Sequence, residues 1–448
     1  MRPIMVTLLR PAPQRTTPAV VLVYILWILV WFEPDWFLAA RGAGVLVRIF
    51  PLLLLPAMAM IAFNGRREAF YWPFVALLAI HVLWLPFAIN SGFVMVCLKR
   101  LIHYLVVIAL TVSVIDTGRR AELLLKLFLL HFIWFAVQGI PSGFVWWHIV
   151  LGNQDSYGPL MVMGLGFSYY FASGTTSTRY RILASVSGLI CMAGLVLTFT
   201  RGAMLALAVV ILAIWIRTPR KLAFLGYSVV ALAIGLAVIQ VAYPNGEFWE
   251  RMQSIGDGTT AGTGETRWIL WKLAGELFLV HPILGVGPGN FGTNAAEYFA
   301  GQGYLGNIFN DPSMLYMWFL HNDYVQVLVE QGLVGVVVMG AILVGFNRRL
   351  RWLRTAEARR RWHEATGGFI DLRHVSLGLE VAMIGYLANA VFYGHIYLIH
   401  WFWSLVMFAH LLARVTRTES IAVGRRGHAQ APKPRARPVT RPVAGTIA

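Results

Sequence analysis

The run HNDYVQVLVEQGLVG (321–335) sets a titratable imidazole, His321, just ahead of an apolar stretch long enough to cross a bilayer as a helix. Asp323 followed by Gln326 reads as an N-cap with its reciprocal partner, so the helix is expected to begin there and to run to about Phe346. His321 then stands at the rim, facing water. With an ordinary pKa of about 6.5, an imidazole is largely neutral at neutral pH and can take a proton from an attacking hydroxyl. Taken alone, a histidine at a helix start serves more often in capping or packing. Asn322 either orients His321 or caps its helix. Upstream, HPILGVGPGNF (281–291) places Gly285, Gly287 and Gly289 within five positions. That spacing either lets backbone N–H groups approach an anionic ligand or forms successive turns. Gly332, Gly335 and Gly340 fall where a neighbouring helix could approach closely.

Composition sets the environment in which these residues must work. Of the 448 residues 58% are hydrophobic and only 13% charged, and the mean hydropathy is +0.66. That leaves too little polar surface for a soluble protein of this size. Apolar stretches of about twenty residues, the length that crosses ~30 Å of hydrocarbon, recur from Pro18 to near Arg414, and the alternation of a β-barrel is absent. No charged start, short apolar core and small-residue cleavage site occur in that order, so the first span is expected to stay in the mature protein. Cys97 and Cys191 both fall in apolar spans and suggest neither a disulfide framework nor a metal site.

The expected architecture is all-α and polytopic, with about twelve transmembrane helices near 18–32, 43–63, 70–89, 93–115, 121–139, 157–173, 182–199, 202–216, 222–242, 324–346, 375–392 and 396–413. Alternate connections carry the arginines: Arg66 and Arg67, Arg119 and Arg120, Arg179 and Arg181, then Arg217, Arg220 and Lys221. The stretch from Arg348 to Arg373 holds eight more, and the tail after Val415 adds seven basic residues against one acid. By the positive-inside bias these segments and both termini face the cytoplasm. The same bias and anionic headgroups account for the net charge of +17, so no nucleic-acid partner is expected.

Four segments follow: N-terminal spans (1–242), a long periplasmic loop (243–322), C-terminal spans (323–415) and a Pro-rich basic tail (416–448) expected to be disordered. Function concentrates in long loops. Within this one, Ile269, Leu273, Leu277 and Val280 share a helical face, while Lys272 and Glu276 make a full crossing costly. An interfacial helix fits, with its apolar face on the membrane and Arg267 near the headgroups.

Three separated pieces resemble the O-antigen ligase and Wzy-type polymerase superfamily: TFTRGA (198–203), in which Thr200 replaces the family's usual serine; Arg267 with the glycine-rich run 281–291; and His321-Asn322 followed after nine residues by Gly332-x-x-Gly335. GNQD (152–155) is similar to the family's Gly-Asn-Pro-Asn but lacks the proline. The resemblance implies a GT-C-like membrane glycosyltransferase that takes a glycan from undecaprenyl diphosphate to an acceptor hydroxyl, lipid A core or a growing polysaccharide, at the periplasmic face of the inner membrane. It implies an inverting, single-step reaction with His321 as general base and Arg201 and Arg267 on the diphosphate. Asn322 and the glycines at 285, 287, 289, 332 and 335 are supporting residues in this reading. Arginine suits the task because it stays protonated and its planar fork binds two phosphate oxygens. An arginine at the end of an apolar span costs up to ~3 kcal/mol on insertion scales, which argues for a purpose, although Arg201 could also snorkel. Lys99 and Arg100, two turns into the fourth span, either help hold the diphosphate or snorkel.

No cofactor or metal is expected, since the chain has no D-x-D, and Glu33-Pro34-Asp35 reads as a helix-end turn. His81, His103, His131, His400 and His410 lack metal-ligand spacing and are expected to bond within the bundle. A polymerase acting on the same lipid carrier is the alternative within the enzyme class, and related protein glycosyltransferases carry similar segments. A transporter or lipid flippase is the alternative outside it. Against transport stand the absence of evident half-repeats and of buried acidic pairs, Glu380 being the one tempting acid.

Overall fold

The computed structural model describes residues 17–32, 69–253, 262–299 and 319–429, except 147, 149–150, 220, 243, 247–248, 251–252, 254–261, 395 and 398–399. The expected span 43–63, the Glu33-Pro34-Asp35 turn, much of the start of the long loop and the tail from residue 430 lie outside the described residues. The helices are α1 (Pro18–Phe32), α2 (Trp72–Trp84), α3 (Ser91–Val114), α4 (Gly118–Gly139), α5 (Gln154–Gly174), α6 (Thr178–Leu197) and α7 (Arg201–Arg217). There follow α8 (Lys221–Ala242), α9 (Gly262–Val280), α10 (Phe291–Phe299), α11 (Asp323–Leu353), α12 (Ala356–Thr366), α13 (Leu372–Asn389) and α14 (Trp401–Ala429). Among the described residues the extended structure is limited to one bridge, Thr175 to Ile370. Among the described residues four helices, α3, α4, α6 and α11, are long and apolar enough to cross a membrane. The protein is an all-helical, multi-pass membrane protein. The last helix continues past Val415 to Ala429, beyond the end of the apolar stretch.

Helices α5 and α13 form the centre. A Cβ at Gly166 would stand 2.7 Å from Val381, and one at Gly385 would stand 3.0 Å from Val162, so small residues let the two backbones meet. One end of the bundle collects the arginine-bearing connections. There Gly118 abuts Ala365 and Thr366, Thr175 pairs with Ile370, and Arg181 donates to the Thr175 carbonyl at 3.1 Å. At the same end Glu380 accepts from Arg217 at 2.9 and 3.2 Å and from Arg354 at 2.7 Å, tying α7, α11 and α13 together. The acid that tempted a transport reading is thus a paired clamp. The bundle histidines bond as expected: His131 to His400 at 3.2 Å, His81 to the Leu77 carbonyl at 2.8 Å, and His410 to Arg349 at 2.9 Å. Cys97 and Cys191 are buried free thiols.

At the opposite end, α9 and α10 pack on the start of α11. The face of α9 that is buried comprises Leu270, Leu273, Ala274 and Leu277, against Phe291, Ala295, Leu320 and Val329. The expected membrane-facing stripe therefore needs correction: Leu273 and Leu277 are spent on protein packing, while Trp268, Leu279 and Val280 remain exposed. The loop can build a small core of its own because α10 supplies a second apolar surface that helical periodicity in α9 alone does not reveal.

Helix α11 is broken. Gly332 has φ 62 and ψ −162, a conformation essentially restricted to glycine. A break in a membrane helix strands backbone groups that hydrocarbon cannot satisfy. Here the glycine-rich loop meets them: Val286 N–H donates to Val329 O and Gly287 N–H to Glu330 O, each at 2.9 Å. In return Leu333 N–H donates to Pro282 O at 2.9 Å and Val334 N–H to Ile283 O at 3.2 Å. The approach leaves no room for side chains: a Cβ at Gly332 would sit 2.3 Å from Ile283 O, and one at Gly285 2.4 Å from the Glu330 carbonyl carbon. The helix-packing reading of these glycines is corrected accordingly. Gly332 makes a turn, Gly335 faces the Gln331 side chain of its own helix, and nothing lies within 4 Å of a Cβ at Gly340. Gly332→Ala is expected to destabilise the protein by at least ~2 kcal/mol, and Gly340→Ala to leave stability unchanged or slightly higher. Thermal unfolding of the two purified variants checks this; equal melting temperatures would contradict it.

Candidate active site

His321 is fixed from both sides in sequence. The Leu320 carbonyl accepts the Trp271 indole N–H at 2.9 Å, which joins α9 to the approach of α11. Asn322 caps the helix, its side-chain oxygen accepting from Tyr324 and Val325 N–H at 3.0 Å each. This places the N-cap one residue before the expected Asp323. Asp323 is instead buried, with its carboxylate accepting from the Tyr386 hydroxyl at 2.7 Å and from Ile396 N–H at 3.1 Å. Its own N–H donates to Ala390 O at 2.8 Å. Gln326, the expected reciprocal partner, turns to Glu330 at 3.3 Å. A buried acid serving a neighbouring helix cannot also cap its own, so the adjacent asparagine does so.

Between these anchors His321 takes φ 49, and a Cβ at Gly394 would lie 3.1 Å from its backbone nitrogen. A left-handed non-glycine residue costs about 1–3 kcal/mol and persists where its surroundings over-determine it. Among the described residues one other non-glycine has positive φ, Phe199 at 53°, two positions before Arg201. Thr198 and Thr200 hold that turn: their hydroxyls lie 2.9 Å apart, and Thr198 donates to Leu195 O at 2.7 Å. The hydroxyl of Thr200 is therefore engaged with Thr198. Gly202 admits Phe392, which a Cβ would meet at 2.8 Å. Arg201 is the first residue of α7.

The guanidinium of Arg267, on α9, lies 3.6 Å from Asp155 on the first turn of α5. Asn153 sets that turn by accepting from Ser156 N–H at 2.8 Å. Asp155, Arg201, Arg267 and His321 share one electrostatic environment. Burial, reinforced by the charge of Arg267, holds the His321 imidazole below its ordinary pKa, and Asp155 partly offsets this. Burial likewise lowers Arg267; Asp155 opposes the shift and Arg201 adds to it. The arrangement favours the neutral, proton-accepting imidazole beside the Arg267 guanidinium. The starts of α5, α7 and α11 meet here, so their N-terminal dipoles add to the attraction for an anion.

Of the residues singled out from sequence, the structure brings together His321, Arg201, Arg267 and Asn322. Arg100 lies on α3 with Lys99, where both act on His103. Gly285, Gly287 and Gly289 have φ of 71°, 99° and 69°, so they form turns, and their N–H groups point to protein: Gly285 to His281 O, Gly287 to Glu330 O, and Gly289 to the Glu330 carboxylate. Asp155 is the site residue that sequence reasoning passed over; GNQD (152–155) was its only signal. Among the described residues no group of three or more His, Cys, Asp or Glu is placed to hold a metal ion.

Residues 186–340 match the family model described as O-antigen ligase. This stretch is similar to the O-antigen ligase family. It contains Arg201, Arg267, the glycine-rich loop, His321 and the break at Gly332, while Asp155 and Arg100 fall before it. No curated protein matches the chain. The match spans about a third of the chain.

The shared electrostatics fix opposite outcomes for two variants. Arg267→Gln removes a cation that disfavours the imidazolium, so the pKa of His321 should rise; Asp155→Asn removes the offsetting anion, so it should fall further. In NMR titrations assigned by difference against His321→Ala, shifts of the same sign in both variants would disprove the arrangement.

Proposed function

We propose that the protein is a periplasmic-face glycosyltransferase of the inner membrane, moving a glycan from undecaprenyl diphosphate to an acceptor sugar hydroxyl, with ligation to lipid A core as the reaction. The observation that carries this reading is a buried imidazole under the charge of Arg267, which Arg201 acts on in turn, all three residues lying inside the stretch that matches the O-antigen ligase family. His321 accepts the acceptor hydroxyl's proton as the oxygen attacks the anomeric carbon. The bond from that carbon to the diphosphate breaks, its electron pair leaving on the phosphate oxygen, and the anomeric centre inverts. Arg201 and Arg267 neutralise the charge that develops there. Asp155 orients Arg267. The diphosphate is already a good leaving group, so the step uses no nucleotide or other cofactor.

Sidedness follows from charge. The end where Arg181, Arg217 and Arg354 gather lies on the cytoplasmic side by the positive-inside bias, and both termini with it. The His321 end then faces the periplasm, where the long loop contributes Arg267. Roles for Arg100 and for the supporting glycines belong to the same reading: Arg100 extends the positive field along α3, and the glycines hold the loop against α11. A polymerase joining repeat units on the same carrier is the second reading, since the matched family segment serves either acceptor.

His321→Ala is expected to abolish transfer while lipid-linked donor accumulates; unchanged transfer by a well-folded variant refutes the role. Glycolipids from a deletion strain separate the readings. Long chains stranded on the carrier beside bare core indicate a ligase, and single repeat units indicate a polymerase.

A further inference from the structure

At the arginine-rich end, away from His321, α2, α11, α14 and the turn before α2 enclose a cavity of about 590 Å³. Its cationic wall consists of Arg348, Arg349, Arg414 and Arg417 with the imidazole of His410, and no carboxylate is among its described lining residues. Part of this wall is held in place. Phe70 stacks on His410 with ring centres 3.7 Å apart and planes within 3°. The Arg349 guanidinium lies 4.8 Å from the Phe70 ring centre, and its Nε donates to His410 Nδ1 at 2.9 Å. Arg417 lies over Trp352 at 4.9 Å.

The lining is graded along both long helices. On α11 it passes from Ile342 to Arg348 and Arg349, and on α14 from Val406 through His410 to Arg414 and Arg417. At 1.5 Å of rise per residue these runs cover about 10 Å and about 16 Å, apolar first and cationic last. Phe74 continues the apolar part on α2. Such a gradient suits an amphiphile with an anionic head and a hydrocarbon tail. A free phosphate would use only the cationic end.

We propose that this cavity is a binding site for an anionic phospholipid, its phosphodiester held by Arg348, Arg349 and Arg417 and an acyl chain lying along Phe74, Ile342 and Val406. Planar guanidinium forks bind phosphate oxygens two at a time, and basic pockets between membrane helices favour anionic headgroups. The lipid would bridge α2, α11 and α14 at the end remote from the proposed chemistry.

The test uses the full chain in neutral detergent, with phosphatidylglycerol, phosphatidylcholine or inorganic phosphate added at equal ionic strength. Thermal unfolding and lipid adducts in native mass spectrometry are read out. Phosphatidylglycerol is expected to raise the melting temperature and to persist as an adduct, and the other two to do neither. R348Q/R417Q, at two exposed positions that leave the Phe70, His410 and Arg349 stack intact, should bind the lipid at least tenfold more weakly, and R348K/R417K should retain most of the binding. Equal stabilisation by phosphatidylcholine, full stabilisation by inorganic phosphate alone, or undiminished binding by R348Q/R417Q would each overturn the proposal.

Discussion

The interruption of α11 at Gly332 is the constraint on which the rest of the structure depends. Backbone groups released inside a membrane protein must find partners, because each one left unpaired away from water costs about 1–3 kcal/mol. Four backbone hydrogen bonds between residues 282–287 and 329–334 meet that demand. They also lash the glycine-rich loop to the helix, and the Glu330 carboxylate extends the clasp by accepting from Gly289 N–H at 2.9 Å. Since α9 leads directly into this loop and α10 directly out of it, the clasp sets where both helices lie against the start of α11. The Trp271 bond to the Leu320 carbonyl then joins α9 to the residue before His321. A backbone defect in one helix thereby fixes the distance between an imidazole and a guanidinium that are 54 positions apart in the chain, 267 against 321.

What gathers at that place is charge and strain together. The starts of α5, α7 and α11 bring their positive dipole ends to one region, Arg201 and Arg267 add full charges, and Asp155 is the counterion that makes their proximity tolerable. His321 and Phe199 hold left-handed backbone where few side chains settle. Strain of this kind is retained where the surroundings enforce it, and here the enforcing contacts are those that aim His321 and Arg201. At the opposite end Glu380 sits between Arg217 and Arg354 and ties α7, α11 and α13 together.

Much of this was legible in the sequence. Hydropathy and the alternation of arginines between connections gave the helical architecture and its two-ended character, because both follow from the membrane alone. The family pattern marked His321, Arg201 and Arg267 without knowledge of their distances. The misses share one cause, which is that a residue's partner lies on another element. Asp323 resembled an N-cap until Tyr386 and Ile396 claimed its carboxylate. Leu273 and Leu277 resembled a membrane-facing stripe until α10 covered them. Gly332 resembled a packing glycine, since nothing in its own helix shows that a loop some fifty residues upstream completes the turn. Asp155 carried only a partial motif, and its meaning lies in a salt bridge to a helix more than a hundred positions away.

The central claim is that Arg201 and Arg267 act on one diphosphate. Equilibrium binding of undecaprenyl diphosphate to the full chain and to Arg201→Gln and Arg267→Gln, at fixed salt, tests it most directly. Charge-assisted hydrogen bonds contribute roughly 1.5–3 kcal/mol each, so either substitution should weaken binding about tenfold or more. If both variants bind the diphosphate as tightly as the unaltered protein, the two guanidinium groups do not hold it and the account fails.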